Sequence, residues 1–346
     1  MKHLLLSIFI FMSSCCSTFS LSSWTGSKST ALELSKKSTA LDVLKILNNS
    51  GRLAPYAKEN AGGVAVVTGG NSGIGKVSVE VLALAGMKVV LCSRDVSKGE
   101  EARSSMSAKE NIRVQKLDLT DLDSVKNAVK DIESTEGSVD VLLLNAGVMA
   151  TPYELTKNGF ELQIGTNHIA HHYMTRLLLP SIKSGGRIVS VASTAHSMGD
   201  IDTDDLNYKK GRNYTPWGSY GQSKMANILF AKSLTDKLQE AKSDILSVSL
   251  HPGVIKTELW RYGGSILRFA TNLIADKSIE QGAATNVFCS LVDSSSIKGG
   301  EYFMDCAEAS PNNLAQDNSK ARRSKLWSTT EELIAEAGFH LPKKLL

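Results

Sequence analysis

Short apolar segments alternate with longer segments of helical periodicity from Gly63 almost to the C-terminus, and this alternation limits the folds that the chain can adopt. Each apolar segment is rich in Val, Ile and Leu, as expected of strands that helices cover on both faces. Seven segments have this character: Val64–Val67, Lys88–Cys92, Ile112–Leu117, Val139–Leu144, Arg187–Val191, Ile245–His251 and Glu301–Met304. The alternation predicts one α/β domain with a doubly wound, seven-stranded parallel sheet and helices on both faces.

A glycine-rich loop directly follows the first predicted strand. It reads Thr68-Gly69-Gly70-Asn71-Ser72-Gly73-Ile74-Gly75 and leads into the helical segment Lys76–Ala85. A pyrophosphate at a helix N-terminus must come close to backbone N–H groups, and a Cβ at the nearest positions would block that approach. Strand, glycine loop and helix in this order predict a Rossmann-type dinucleotide site.

The residues after the second strand predict which dinucleotide binds. Arg94 and Asp95 stand some 25 residues beyond Gly69, where the adenosine ribose is expected. An acid suits the 2′-OH of NAD, whereas an arginine suits the 2′-phosphate of NADP. Arg94 therefore favours NADP(H). The alternative is that Arg94 is a solvated surface charge and that Asp95 binds the ribose.

Composition and spacing exclude several other classes of protein. The chain has 346 residues with 39 Lys+Arg and 35 Asp+Glu, and no basic block predicts nucleic-acid binding. Five cysteines without a C-x-x-C pair predict neither a disulfide scaffold nor a structural zinc site. His168, His171 and His172 lack the Glu of an H-E-x-x-H motif, so helix packing or a surface position is expected rather than metal binding.

The N-terminal region is typical of a targeting segment. Lys2 and His3 precede an apolar run from Leu4 to Met12, the order found in secretory signal peptides. Ser and Thr make up 14 of the 27 residues from Ser13 to Thr39, a bias typical of transit peptides. We expect either the endoplasmic reticulum or another endomembrane compartment, or a plastid reached through a bipartite presequence.

Three regions follow from these patterns. Residues 1–20 are expected to be a signal peptide or N-terminal anchor. Residues 21–60 are expected to be a Ser/Thr-rich presequence or linker, with a short amphipathic helix from Ala40 to Leu47 that docks on the domain or contacts a membrane surface. Residues 61–340 are expected to form the α/β domain.

Further motifs follow the glycine loop in chain order. They are Asp118-Leu119, Asn145-Ala146-Gly147, Asn167, Ser193, Tyr220-x-x-x-Lys224, and Pro252-Gly253 with Thr257. Together with Thr68–Gly75, this series resembles the short-chain dehydrogenase/reductase family over roughly Gly63 to Gly338. The segments around Asn145–Met149 and Tyr220–Asn227 are similar to the retinol dehydrogenase branch, which also includes the WW-domain-containing oxidoreductase.

This resemblance implies an NADP-dependent oxidoreductase that acts on the CH–OH group of its donor. The catalytic residues that it implies are Asn167, Ser193, Tyr220 and Lys224. The cofactor-binding residues that it implies are Thr68, Gly69, Asn71, Ser72, Gly73, Ile74, Gly75, Arg94, Asp118, Leu119, Asn145, Ala146, Gly147, Tyr220, Lys224, Pro252, Gly253 and Thr257, with no metal ligand. Asn167 would position a water in a proton relay, and dimers or tetramers are common in the family.

The spacing of Tyr220 and Lys224 fits acid–base chemistry. Residues four apart in a helix share a face, so the ammonium and the phenol can act together. An ammonium and a positively charged nicotinamide ring would favour the phenolate of Tyr220. In the reductive direction, Tyr220 would protonate a carbonyl oxygen that Ser193 holds by a hydrogen bond.

Two segments are expected to shape the substrate pocket. The loop Thr194–Ser219 carries Tyr214 and Trp217, and the lid Val254–Ser278 is rich in apolar and aromatic residues. They predict a hydrophobic alcohol, aldehyde or ketone as substrate. The alternatives for the segments are a partner subunit or a peripheral membrane contact. The alternatives for the function are a light-dependent pigment-precursor reductase of the protochlorophyllide type and a non-catalytic NADP-binding sensor or scaffold.

Overall fold

The computed structural model describes residues 32–58, 61–255 and 277–345. The chain from Leu34 to Leu346 forms one compact unit. The predicted signal segment, Thr257 and most of the predicted lid lie outside the described residues. Within the described ranges, no helix combines the length and the hydrophobicity that crossing a bilayer requires.

The central sheet confirms the predicted doubly wound α/β architecture. Its strands follow the order β3-β2-β1-β4-β5-β6-β7-β8, and the first seven are parallel. The bounds of the seven parallel strands are β1 Val64–Thr68, β2 Lys88–Ser93, β3 Ile112–Lys116, β4 Val139–Leu144, β5 Ile182–Val191, β6 Leu246–His251 and β7 Tyr302–Met304. Only β5 differs from its predicted bounds by more than one residue.

The predicted count of seven strands was wrong, because the described part of the sheet has eight. Strand β8, Ala307–Ala309, pairs antiparallel with β7 at the edge of the sheet. The turn between them places Asp305 and Cys306 at φ of 56° and 61°. Turns with two residues in this conformation usually contain Gly or Asn, so Asp-Cys carries little sequence signal of a hairpin.

Helices cover both faces of the sheet. On one face lie α1 (Ala40–Asn49), α2 (Gly73–Leu84) and α7 (Ile279–Leu291), which pack against one another. The remaining long helices are α3 Val96–Ser104, α4 Leu122–Glu136, α5 Ala170–Leu178, α6 Pro216–Glu240 and α8 Ala321–Glu336. The central strands β1 and β4 are therefore enclosed, which agrees with their being apolar along most of their length.

The predicted short helix near Ala40 is α1, and it docks on the domain. Thr39 and Asp42 form a capping box at its start, where the Thr39 side chain accepts from the Asp42 N–H and the Asp42 carboxylate accepts from the Thr39 N–H. Val43 and Leu47 are fully buried. Its packing against α7 places this helix within the compact unit.

The strand order reverses beside β1, and this reversal positions the site. The sheet continues from β1 to β2 on one side and to β4 on the other. Both β1 and β4 are buried along their full length. Ligands in such sheets bind at the carboxyl ends of the strands next to this switch point. The glycine loop follows β1, and Asn145-Ala146-Gly147 follows β4, so both lie there.

Candidate active site

The glycine loop turns sharply from β1 into α2. Gly69 and Gly73 have φ of 67° and 53°, a conformation that side chains rarely adopt. A Cβ on Gly75 would lie 2.3 Å from the Gly69 carbonyl oxygen, so only glycine fits there. Ser72 is the N-cap of α2, but its side chain makes no capping bond. The first N–H groups of the helix are therefore open to an anionic ligand, which fits the pyrophosphate of a dinucleotide.

Hydrogen bonds join the carboxyl ends of β1 and β4. The Thr68 hydroxyl accepts from the N–H groups of Asn145 and Ala146, both at 2.9 Å. The Asn145 side chain donates to the Thr68 carbonyl at 2.9 Å. From α7, Asn286 donates to Asn145 Oδ1 at 3.3 Å. These bonds hold the residues after both strands in one rigid surface beside the glycine loop.

Tyr220 and Lys224 lie near the start of α6, as the spacing predicts. Both side chains are buried, and Lys224 Nζ lies 5.7 Å from the centre of the Tyr220 ring. Lys224 Nζ donates to the Val191 carbonyl at 2.9 Å, at the end of β5. The Ser193 hydroxyl lies close enough to the Tyr220 phenol to lower its pKa. The structure thus brings Ser193, Tyr220 and Lys224 together.

Burial shifts the pKa values of both catalytic candidates on α6. It raises the pKa of Tyr220 to about 12, against a smaller opposing effect of the nearby Ser193 hydroxyl. It lowers the pKa of Lys224 to about 8. In the protein without dinucleotide, the Tyr220 phenol is therefore protonated at neutral pH. The expectation that Lys224 favours the phenolate does not describe this state, because desolvation dominates.

Asn167 lies in a π-helical turn, Gly165–Ile169, directly before α5. Its Oδ1 accepts from the Val148 N–H at 2.8 Å, and its Nδ2 donates to the Val148 carbonyl at 2.9 Å. Nδ2 also donates to Ser223 Oγ at 2.9 Å, between Tyr220 and Lys224 on α6. The Asn167 side chain therefore clamps the segment after β4 to α6. Turns of this kind are frequent at functional sites.

Comparisons with known proteins agree with this geometry. The short chain dehydrogenase family model matches residues 63–205. The chain is 38% identical to retinol dehydrogenase 11 of Mus musculus over 280 residues, which cover 79% of this chain and 86% of that relative. The chain belongs to the short-chain dehydrogenase family. This membership makes it an oxidoreductase of the class that acts on alcohol groups.

Two further similarities extend along the chain. It is 35% identical to the chloroplastic short-chain dehydrogenase TIC 32 A of Brassica napus over 284 residues, 78% of this chain and 88% of that one. A solved structure of an uncharacterized protein from Mycobacterium paratuberculosis matches with a TM-score of 0.67 at 33% identity. It covers 84% of this chain and 97% of that chain. The family is therefore matched by sequence and by fold.

In this short-chain dehydrogenase, Arg94 and Asp95 follow β2, where the ribose is predicted, and Asp118 and Leu119 follow β3. Arg94 is exposed. Asp95 caps α3, because its Oδ1 accepts from the Lys98 N–H at 3.2 Å. Asp118 Oδ1 accepts from the N–H and the hydroxyl of Thr120 at 2.9 and 2.8 Å, and Leu119 is buried.

At the far end of the predicted site, Pro252 and Gly253 follow β6. Gly253 has φ of 98°, and a Cβ there would lie 2.5 Å from the Lys277 side chain. Lys277 is buried and forms an ion pair with Asp305 in the β7–β8 turn. This contact joins the end of the predicted lid to the β7–β8 turn at the edge of the sheet.

One side of Tyr220 is apolar. Met149, Ala150, Ala195 and Tyr220 form a buried cluster, against which Met198 and Trp217 pack. The Trp217 ring meets the Tyr220 ring edge-on, with centroids 6.1 Å apart. Tyr214, also predicted at the pocket, instead donates its hydroxyl to the Thr151 carbonyl at 2.8 Å. Of the two predicted aromatic residues, Trp217 is the one beside Tyr220.

Three residues that were not predicted hold site residues in place through hydrogen bonds: His196, Asn286 and Asn312. His196 Nε2 accepts from the Asn312 N–H at 3.0 Å, so Nδ1 carries the proton and donates to the Ser193 carbonyl at 2.6 Å. Asn286 and Asn312 are too distant in sequence to show these contacts. His196 stands three residues after Ser193, a spacing that could have drawn attention to it.

The three histidines near Asn167 are buried, and none lies at the surface. His168 and His172 pack against Phe230 and Trp327, and His168 Nε2 lies 3.0 Å from the Thr330 hydroxyl. His171 points the other way, toward the end of β1. Among the described residues, no group of His, Cys, Asp or Glu has the arrangement of a metal site.

Proposed function

We propose that the protein is an NADP(H)-dependent oxidoreductase that interconverts a hydrophobic alcohol and its aldehyde or ketone by hydride transfer. The observation that carries this proposal is the buried Tyr220 phenol. It lies near the Ser193 hydroxyl and beside the Lys224 ammonium, at the carboxyl ends of the strands, where the open glycine loop also lies. These are the groups that a carbonyl reduction needs, because the oxygen must be held and protonated as the carbon receives hydride.

The nicotinamide dinucleotide, when bound, supplies or accepts the hydride. The open N–H groups of α2 and the glycines Gly69, Gly73 and Gly75 would hold its pyrophosphate. Gly147 permits a further close approach, because a Cβ there would lie 3.1 Å from Asn167 Oδ1 and 3.5 Å from Lys224 Nζ. Because Gly147 has no side chain, the backbone after β4 lies next to Asn167 and Lys224.

The residues of the chain then divide the proton chemistry among them. Tyr220, protonated at neutral pH, donates its proton to the substrate oxygen in reduction and accepts it back in oxidation. The Ser193 hydroxyl holds the same oxygen and stabilises its developing negative charge. Lys224 places a positive charge beside the phenol and stabilises the phenolate that remains. Asn167 keeps α6 in register with the segment after β4.

A hydrophobic substrate fits the surroundings of the phenol. Tyr220 lies in the cluster with Met149, Ala150 and Ala195, and Trp217 closes one side. Such an apolar surface favours a substrate that is apolar next to its reacting oxygen. The name of the relative retinol dehydrogenase 11 is in line with a lipophilic alcohol.

The cofactor preference follows from the end of β2. Asp95 uses a carboxylate oxygen to cap α3, whereas the Arg94 guanidinium beside it is exposed. A planar guanidinium binds a phosphate in a bidentate manner. This supports NADP(H) over NAD(H).

For the location, we propose an endomembrane compartment reached through the N-terminal segment, or a plastid. The Ser/Thr-rich region before Thr39 supports a targeting role. The relative TIC 32 A is described as chloroplastic, which favours keeping the plastid alternative. The distribution of a fluorescent fusion of the full chain in cells would distinguish the endomembrane compartment from the plastid. A fusion of the chain from Leu34 is the control that lacks the N-terminal segment.

The proposal is tested with the Tyr220→Phe variant. Purified wild type and variant are incubated in the dark with NADPH and a panel of hydrophobic aldehydes and ketones. Removal of the acid is expected to lower kcat by about 10²- to 10⁴-fold while the affinity for NADPH is retained. Tyr153→Phe is the control, because Tyr153 is 43% exposed and its hydroxyl donates to the Asn207 carbonyl outside the site.

Three results would contradict the proposal. Equal activity of Tyr220→Phe and wild type would exclude the phenol as the acid. Turnover only under illumination would favour the light-dependent pigment-precursor reductase. Tight NADPH binding with no turnover of any substrate would favour a sensor or scaffold.

A further inference from the structure

We propose that His171 is a positioning residue of the reaction, and that its neutral imidazole ties Asn167 to the end of β1. This inference rests on the proposed function. His171 is the second residue of α5 and is buried at 2% exposure. Its Nδ1 lies 3.1 Å from the Asn167 carbonyl oxygen, and its Nε2 lies 2.9 Å from the Thr68 hydroxyl. One ring therefore bridges a catalytic candidate and the strand that leads into the glycine loop.

The hydrogen-bond partners of the ring determine its tautomer. A carbonyl oxygen only accepts, so the bond to Asn167 requires a proton on Nδ1. The Thr68 hydroxyl already accepts from the N–H groups of Asn145 and Ala146, which occupy both of its lone pairs. Its single hydrogen must point to His171 Nε2, which is therefore unprotonated. Two independent partners thus require the same neutral form.

The surroundings keep this form at physiological pH. Burial lowers the pKa of His171 to about 4, and the nearby Lys224 charge acts in the same direction. The hydrogen bond to the Asn167 carbonyl raises the pKa, but its effect is smaller than that of burial. A protonated ring would direct a second N–H at a hydroxyl with no lone pair left, so the geometry also disfavours the cation.

The position of Asn167 matters because its side chain joins two parts of the site. It holds Val148, after β4, and Ser223, which stands between Tyr220 and Lys224 on α6. Ser223 in turn donates to the Tyr220 carbonyl at 2.8 Å. A π-helical turn that moved at Asn167 would therefore shift Tyr220 relative to the segment that follows β4. The Nδ1–H bond of His171 restrains the backbone of that turn.

Two substitutions separate the two bonds of the ring. In His171→Asn the side-chain amide can replace Nδ1–H toward Asn167, but it does not reach Thr68. In His171→Gln the amide oxygen can replace Nε2 toward Thr68, but the donor to Asn167 is lost. We expect His171→Gln to lower kcat about tenfold with little change in the KM for NADPH, and His171→Asn to keep kcat within about threefold of wild type. His171→Phe should lower kcat at least as much as His171→Gln.

The matched control is His172→Gln. His172 is the next residue on α5, is equally buried, and packs against Phe230 and Trp327 rather than against Thr68. This variant should lose thermal stability but retain kcat and its pH profile. A merely structural role of His171 would make its variants behave in the same way.

A spectroscopic measurement tests the tautomer without turnover. The protein is labelled with ¹⁵N-histidine, and the His171 signals are identified by their absence from His171→Gln. At pH 7 the ring should show a protonated Nδ1 and an unprotonated Nε2. A protonated Nε2 would overturn the inference.

The activity assays distinguish the failure of this inference from that of the proposed function. If wild type is active, Tyr220→Phe is inactive and all three His171 variants keep kcat, only the role of His171 is wrong. An equal loss of kcat in His171→Asn and His171→Phe would also overturn it, since the bond to Asn167 would then not matter. If wild type reduces no carbonyl compound in the panel, both the proposed function and the role of His171 are wrong.

Discussion

At the scale of single residues, the site depends on how burial shifts the pKa values of two groups, the Tyr220 phenol and the Lys224 ammonium. Burial disfavours the charged form of each group, so it raises the pKa of the Tyr220 phenol and lowers that of the Lys224 ammonium. The two groups lie side by side without forming a strong ion pair. At neutral pH the phenol is therefore in the protonated form that the proposed carbonyl reduction needs, rather than the form that alcohol oxidation needs.

The pH dependence should differ between the two directions of the reaction. Reduction uses the protonated phenol and the ammonium, so its kcat/KM should be level at neutral pH and fall above about pH 8, where Lys224 loses its proton. Oxidation needs the deprotonated phenol, so its kcat/KM should increase as the pH rises toward the pKa of Tyr220. Initial rates between about pH 6 and pH 10 check both. A reduction rate that increases with pH would contradict this assignment.

Arg94 should determine the preference for NADPH over NADH. In Arg94→Ala the loss of a charge-assisted contact to the 2′-phosphate should raise the KM for NADPH about ten- to a hundredfold and leave that for NADH nearly unchanged. Arg103→Ala is a suitable control, because Arg103 lies on α3 but pairs with Glu100. Steady-state kinetics with both cofactors give the result. An unchanged preference would favour the alternative in which Asp95 binds the ribose.

At the scale of elements, the carboxyl ends of β1 and β4 form the binding surface through backbone rather than side chains. Gly69, Gly75 and Gly147 each have a neighbour within 3.1 Å of where a Cβ would stand. The Thr68 hydroxyl binds two backbone N–H groups across the strands. The shape of this surface is thus set by the close approach of one loop to another, and it tolerates little added volume.

Gly75→Ala should disrupt that surface. The new methyl group would lie 2.3 Å from the Gly69 carbonyl oxygen and 2.4 Å from Asn145 Nδ2, so the loop must move. We expect dinucleotide affinity to fall more than about tenfold and the free energy of unfolding to fall by about 1–3 kcal/mol. Calorimetric titration and chemical denaturation measure the two effects. Leu84→Ala, at the exposed end of the same helix, is the control and should change neither the affinity nor the stability substantially. Wild-type affinity in Gly75→Ala would mean that the loop tolerates a side chain at this position.

At the scale of the whole molecule, the unit extends beyond the α/β domain that the alternation of strands and helices predicts. Helix α1 packs on α7, and Arg52, three residues after α1, pairs with Asp293, two residues after α7. The backbone N–H of Ala54 donates to the Leu291 carbonyl at 2.7 Å. The region before β1 therefore contributes to the packing of the domain as well as preceding it.

A fragment that starts at Gly51 should be less stable than one that starts at Leu34. The shorter fragment lacks α1, whose Val43 and Leu47 are fully buried. The loss of their packing, and the exposure of the surface that they cover, should lower the free energy of unfolding by roughly 3–6 kcal/mol. Thermal and urea denaturation of the two fragments provide the measurement. Equal stabilities would mean that α1 contributes nothing to the domain, whereas kcat should be similar in both because α1 lies apart from Tyr220.

The sequence by itself determined the sheet, the family and the spacing of Tyr220 and Lys224. Apolar runs, glycines at a strand end and an i, i+4 pair are local patterns, and local patterns depend only on neighbours in the chain. The eighth strand was not predicted, because the turn before it contains Asp305 and Cys306, which are not typical residues of a hairpin turn. The Asp95 cap of α3 likewise became clear only from its contact with the Lys98 N–H.

Only the tertiary structure decided how these parts act on one another. Asn286 holds Asn145, Asn312 orients His196, and Thr68 requires the neutral form of His171. Each of these effects is a contact between residues some 100 or more positions apart in the chain. The pKa values of Tyr220 and Lys224 depend on burial in the same way. Hydrogen-bond partners and desolvation arise when distant segments pack together, so no local pattern in the sequence encodes them.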